Sequence, residues 1–235
     1  MQQRPKEDIT EYISKNTIIP FLFDRAAKDV AIAFKPTESA SVWQHLQRNP
    51  DRYIYAAVRK GVIDEAGEVI PLPAKIAAGV DEVSNRDGWN KTADAAFGLP
   101  TETWREHVAR RKRCLELRGK LLNGEIHTVN DLITWNPDIR QFAQDVILQT
   151  DDAALVRAFY RAIAGRVPEK SNEHFEHGLT VLDPTCGSGA FLFAALNILQ
   201  PLYEACLDRM EAFVAEADQS GKSKSHEDFR RVLAQ

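Results

Sequence analysis

Leu179-Thr180-Val181-Leu182-Asp183-Pro184-Thr185-Cys186-Gly187-Ser188-Gly189-Ala190-Phe191-Leu192 is the stretch whose reading decides the fold class. Leu179 to Leu182 is a short apolar, partly β-branched run, the composition of a buried parallel strand. Gly187 and Gly189 then remove side chains from the turn and permit conformations that other residues resist. A long apolar run from Ala190 reads as a helix. Strand, Gly-x-Gly loop and helix make the first unit of a doubly wound α/β sheet, in which ligands bind at the carboxyl ends of the strands. The helix N-terminus presents N–H groups and the positive end of a dipole, suited to a carboxylate or a phosphate.

Three ligands compete for such a loop. A dinucleotide fingerprint requires a third glycine where Leu192 stands, and a P-loop requires a lysine, which is absent between Asp183 and Gln200. S-adenosyl-L-methionine remains, with a carboxylate and an ammonium at its amino-acid end. Asp183 is placed to hold the ammonium, directly or through water, while loop amides hold the carboxylate.

Upstream, residues 166–178 are polar, with Pro168, Lys170, Ser171, Asn172, His174 and His177, and form the linker candidate, drawn in at 171–178. The two histidines have no cysteine or carboxylate pattern around them, so no metal site is expected. Residues 1–170 read as a mainly helical region. Tyr12 to Phe34 reads as helix, break, helix, with Pro20 near a helix start. Val62-Ile63 and Val69-Ile70 flank Asp64-Glu65-Ala66-Gly67 and predict a small hairpin at 61–71. Thr103 and Glu106 form a capping box opening a helix to Leu122, with Trp104, Val108, Leu115 and Leu122 as its buried stripe. Helices follow over about 137–149, with Asn136 as cap, and 152–164. Asn136-Pro137-Asp138 lacks the second proline and the aromatic of an amine-binding motif, and a capped helix start accounts for it.

Downstream, Pro201 predicts a kink or a new helix about three turns into the final long helix. Residues 179–235 thus form the start of a cofactor-binding domain. The fold expected is a mainly α N-terminal region followed by the first βα unit of an α/β Rossmann-like fold with an incomplete core.

The composition is that of a soluble globular protein, with 44% hydrophobic residues over 235. Neither a run of about eighteen apolar residues nor an N-terminal signal core is read, so no membrane span or secretion is expected. Cys114, Cys186 and Cys206 make no paired framework, which suits a reducing cytoplasm. Cys186 is expected to be a small packing residue. A net charge of −4 neither advertises nor excludes a nucleic-acid partner, since phosphate contacts need only a local basic patch. The candidate patch is the cluster Arg105, Arg110, Arg111, Lys112, Arg113, Arg118 and Lys120. Within it Arg110, Arg113 and Lys120 are expected to project away from the apolar stripe, either as a solvated face or against DNA phosphates.

Asp183-Pro184-Thr185-Cys186-Gly187-Ser188-Gly189-Ala190-Phe191-Leu192 resembles the cofactor motif of amino-group DNA methyltransferases, especially the type IIG restriction–modification group. The continuation through Ala194-Ala195-Leu196-Asn197-Ile198-Leu199 and Pro201 to Cys206 resembles the phage-growth-limitation methyltransferases of BREX defence systems. Tyr12 to Asp24 is similar to the start of that family. The resemblance implies cofactor contacts by Asp183, Pro184, Thr185, Cys186, Gly187, Ser188, Gly189 and Phe191. It implies S-adenosyl-L-methionine as cofactor, double-stranded DNA as substrate and defence-system subunits as possible partners. In such enzymes the target adenine is flipped out, and an Asn-Pro-Pro-aromatic motif holds its amine. That motif does not occur in these 235 residues, so no catalytic residue is assigned and the chain alone is expected to be inactive. The alternatives are a non-catalytic DNA- or partner-binding module and a methyltransferase acting on RNA or protein.

Overall fold

A computed structural model describes residues 5–166, 176–184, 186–222 and 224–234. It is mainly helical: α1 (Pro5–Asp29), α2 (Gln44–Arg48), α3 (Ala56–Arg59), α4 (Ala74–Asp81), α5 (Trp104–Leu122), α6 (Val129–Trp135), α7 (Ile139–Leu148), α8 (Ala153–Ala164), α9 (Ala190–Gln219) and α10 (Glu227–Leu233). A two-residue hairpin, β1 (Gly165–Arg166) with β2 (Glu176–His177), is antiparallel. The chain divides into two compact units. Unit 1 comprises Met1–His45, Thr128–Thr134 and Ile139–Gln235; unit 2 comprises Leu46–His127 and Trp135–Asp138. This boundary crosses the expected one, because α9 packs on α1, α7 and α8. Residues after 179 therefore share a core with the N-terminal helix.

Unit 1 is built on helical spacing. Ile18, Ile19, Leu22, Phe23 and Ala26 lie on one face of α1, and Phe142, Val146, Phe159, Ile198, Leu202 and Met210 complete the core. Its centre is aromatic. The Phe23 ring lies 5.2 Å from Phe159 and 5.4 Å from Phe142, and Trp43 stacks on Phe142 at 5.8 Å. The Trp43 indole donates to the Phe34 carbonyl at 2.9 Å, so its one polar atom is satisfied.

Both prolines expected to interrupt helices lie inside continuous ones, Pro20 in α1 and Pro201 in α9. A proline has no N–H to give the carbonyl four residues back. For Pro201 that carbonyl belongs to Asn197, and the Arg140 guanidinium of α7 donates to it at 3.0 Å. Arg140 also pairs with Glu11 of α1 at 2.5 Å. The vacated acceptor is thus occupied by a charged donor, and the helix continues.

α9 bears on the expectation that no membrane span is present. Over an 18-residue window it is apolar enough to cross a bilayer by length and composition. Its buried positions, including Ala195, Ile198, Leu202, Cys206 and Met210, nevertheless belong to a core helix packed against α1, α7, α8 and α10.

Unit 2 is less regular. The expected hairpin is minimal: Ile63 and Val69 form one antiparallel bridge, and the Asp64 carboxylate accepts from the Ala66 and Glu68 amides at 2.9 and 2.8 Å. Ile76, Trp89, Ala93 and Trp104 form a small apolar core. The capping box is present, with Thr103 accepting from Glu106 N–H and Glu106 accepting from Thr103 N–H. The buried stripe of α5, however, is Trp104, His107, Arg110, Cys114, Leu117 and Leu121, while Leu122 is exposed. Asn136 does not cap α7. It sits at φ +47°, three residues before α7's first residue, Ile139.

Candidate functional site: the glycine loop before α9

The hairpin positions the loop. Gly165 has φ +88°, and a Cβ there would lie 2.1 Å from the Glu176 carbonyl oxygen; a Cβ on Gly178 would lie 2.1 Å from that of Ile163. Only glycine fits at either place, so β2 is held against the end of α8. The Leu179 amide then donates to the Ile163 carbonyl at 3.2 Å. Of the expected linker, 176–177 is therefore strand, and His177 is exposed in it. His174 and the rest of 171–175 lie outside the described residues.

From Leu179 to Leu182 no strand forms among the described residues, which corrects the buried parallel strand. Leu182 is 86% exposed. A parallel strand takes its hydrogen bonds from neighbouring strands, and the described residues supply only the two-residue hairpin. The described residues contain no α/β sheet to complete the expected βα unit.

The turn itself follows the expected pattern. Gly187 and Gly189 both adopt left-handed backbone, at φ +50° and +74°. The Gly189 amide closes the turn onto the Cys186 carbonyl at 2.7 Å, and the Gly189 carbonyl receives the Phe193 amide at 2.9 Å to open α9. A Cβ on Gly189 would meet only the Phe193 ring, at 3.6 Å. Backbone conformation, rather than lack of room, is what calls for glycine there.

Gly189 offers α9 no side-chain cap, and the first turn has no acidic residue. By helix geometry the N–H groups of Ala190, Phe191 and Leu192 have no acceptor within the helix. Asp183 is half-buried; Pro184, Cys186, Gly187, Ser188 and Phe191 are exposed. The exposure of Cys186 corrects its reading as a packing residue. Thr185 lies outside the described residues. Around the turn, Val181, Leu182, Phe191, Leu192, Phe193 and Leu196 leave apolar surface open to solvent. By charge, the N-terminal turn of α9 suits a carboxylate. Among the described residues no group of three His, Cys, Asp or Glu could hold a metal ion.

The basic cluster on α5 resolves into two sets. Arg110 is buried and cannot reach DNA. Its guanidinium donates to both Glu102 carboxylate oxygens at 2.7 Å, to the Ala57, Val58 and Lys60 carbonyls at the end of α3, and to the Phe97 carbonyl. It also meets His107 Nδ1 at 3.0 Å. Arg110 holds the Glu102 carboxyl below the usual carboxylate range, while burial, followed by Arg110, lowers the His107 pKa. Arg118 grips Asp51 at 2.8 and 3.0 Å and the Gly67 carbonyl at 2.8 Å. Arg111 donates to the Ile70 carbonyl at 2.5 Å. Lys120 pairs with Glu125 at 2.8 Å and lies over the Trp135 ring. Of the three residues expected to face DNA, only Arg113 is exposed.

The internal role of Arg110 was legible in principle. Spacings of three and four through 104, 107, 110, 114, 117 and 121 define the buried face, whereas 104, 108, 115 and 122 track hydrophobicity alone. Arg140 carried a fainter signal: Pro201 frees a carbonyl, but the sequence does not say which donor fills it.

No family model matches the chain, nor does any curated protein or solved structure to which it was compared.

Proposed function

We propose that this chain carries the S-adenosyl-L-methionine loop of a DNA adenine methyltransferase from a phage-defence or restriction–modification system resembling BREX or type IIG enzymes. One observation supports it above the others: two left-handed glycines deliver the chain to an uncapped helix N-terminus directly after Asp183. The first-turn amides of α9 would orient the cofactor carboxylate, and Asp183 its ammonium. Gly187 and Gly189 would let the backbone approach. Bound there, the cofactor would supply an electrophilic methyl group for the adenine exocyclic amine. The groups that position that amine must come from an Asn-Pro-Pro-aromatic segment, which these 235 residues do not contain. The reading further places the protein in the cytoplasm, with double-stranded DNA and defence-system subunits as partners.

A second reading, a non-catalytic DNA- or partner-binding module, is favoured by one feature: residues 179–182 pair with no strand among the described residues. Labelled cofactor and duplex DNA separate the two. The isolated chain should leave DNA unlabelled, and fusion to an Asn-Pro-Pro-aromatic segment with its own sheet strands should label it. In that fusion Gly187→Val should abolish cofactor binding while the protein stays folded, because valine resists left-handed backbone and crowds the loop. Undiminished affinity in folded Gly187→Val protein would mean that the loop is not the site.

A further inference from the structure

We infer that the outward face of the first three turns of α5, carrying Arg105, Lys112 and Arg113, is a contact surface for the phosphate backbone of duplex DNA. The structure sorts the cations of this helix. Arg110, Arg111, Arg118 and Lys120 are committed to protein acceptors. Arg105, Lys112 and Arg113 are exposed, and among the described residues neither Lys112 nor Arg113 has an ion-pair partner. Arg105 and Lys112 are seven residues apart, about 10 Å along the axis on nearly the same side. Between them, to either side, stand Val108, half-buried against the small apolar cluster, and Ala109, exposed and small, so neither carries a charge between the two cations.

The neighbouring segment adds to the face. The Lys91 carbonyl accepts from the Trp104 amide at 3.0 Å, which sets exposed Lys91 beside Arg105. The Asn90 side-chain oxygen accepts from Arg105 Nε at 3.1 Å, orienting the guanidinium and leaving the Asn90 amide to donate outward. The nearby carboxylates are accounted for. Asp87 pairs with Lys75 at 2.8 Å, Glu106 is held in the Thr103 capping box but keeps its charge at the N-terminal edge of the face, and exposed Glu116 bounds the face one turn further on.

Charge complementarity selects a polyanion, and the arrangement of cations without any base-reading pocket selects backbone over sequence. The choice of nucleic acid over an acidic protein rests on the proposed function. The face itself is independent of the glycine loop, and its test contains no cofactor, so the two can fail separately.

The experiment is a fluorescence-anisotropy titration of the 235-residue chain with a short labelled duplex of mixed sequence, repeated across a salt series. Replacing Arg105, Lys112 and Arg113 together by Gln should flatten the slope of log affinity against log salt by about 2–3, at about 0.9 per phosphate contact. Lys60→Gln, a change at an exposed cation off this helix, should leave the slope unaltered. Glu116→Lys should extend the face and steepen the slope by about 1, a gain that misfolding cannot imitate. An unchanged slope in the triple variant overturns the inference, as does failure of Glu116→Lys to tighten binding. Displacement of the duplex by polyglutamate of matched charge overturns it in favour of an acidic protein partner.

Discussion

In unit 1, α1, α7, α8 and α9 meet largely through apolar side chains. In unit 2 a single helix, α5, reaches into irregular surroundings with Arg110, Arg111 and Arg118 and takes hold of carbonyls at Ala57, Val58, Lys60, Gly67, Ile70 and Phe97. The difference follows from the backbone. Helices satisfy their own N–H and C=O groups and need only an apolar face to associate. Turns and 3-10 segments leave carbonyls over, and burying these requires donors from elsewhere. Arginine supplies five donors in a rigid fork, so three such residues can tie irregular segments to one helix. The charge balance differs too: unit 2 holds 14 Lys and Arg against 13 Asp and Glu, unit 1 holds 16 against 21.

The sharpest way to break this comparison is to remove one support from each unit. Arg110→Ala leaves half-buried Glu102 and several carbonyls without their donor and should cost about 3–5 kcal/mol. Phe23→Ala empties the aromatic centre of unit 1 at a similar cost, about 3–5 kcal/mol. Hydrogen exchange read by segment should show Arg110→Ala loosening 46–127 and Phe23→Ala loosening 139–164. If each variant loosened both segments equally, the units would form one cooperative body.

A smaller effect is expected where unit 1 borrows the strategy of unit 2. Arg140→Ala removes a charged donor from the Asn197 carbonyl and should cost about 1.5–3 kcal/mol. In a Pro201→Ala background the restored amide supplies that carbonyl, so the same change should cost clearly less. A double-mutant cycle by urea unfolding reads the difference. Additive costs would show that Arg140 acts through Glu11 alone.

His107 sharpens the contrast through pH. Burial depresses its pKa from 6.5, so below that pH the unfolded chain takes up a proton that the folded chain refuses. Unit 2 should lose stability as pH falls from 6.5 towards the folded value, by at most about 1.4 kcal/mol per pH unit, and be unaffected above it. Glu102 acts in the same direction at lower pH. Its depressed pKa stabilises above 4.5 and is lost only under stronger acid. His107→Gln should flatten the profile between pH 6.5 and the carboxylate range; an unaltered profile would assign the dependence to other groups. The smallest effect is at Thr101, a β-branched residue at φ +67°. Thr101→Gly should relieve strain and raise stability by up to about 1 kcal/mol, seen as a higher melting temperature.

Some of this was legible in the sequence because the cause is local. The Thr103–Glu106 capping box, the Asp64 turn and the left-handed Gly187 and Gly189 each arise within a few residues of one another. What escaped depends on distant partners. Pro20 and Pro201 read as breaks because sequence shows the lost hydrogen bond and not its replacement. Arg110 read as a surface cation because hydrophobicity alone was followed along α5; three of its acceptors, the Ala57, Val58 and Lys60 carbonyls, lie 50 or more residues away. Leu179 to Leu182 read as a strand on composition alone, yet a strand exists only where another strand receives it.

Pro201 has a further consequence, which concerns position. Two helices with apolar faces can slide past one another by a turn, about 5.4 Å, and still bury similar surface. Along the interior of α9 every carbonyl is claimed from within except where the proline interrupts the pattern, so Asn197 is a mark at a single height. Arg140 donates there, and through Glu11 the same guanidinium brings α1 to that level. The residue least suited to a helix therefore sets the alignment of three of them. A sequence with alanine at 201 would keep every apolar face and lose the mark that tells one turn from the next.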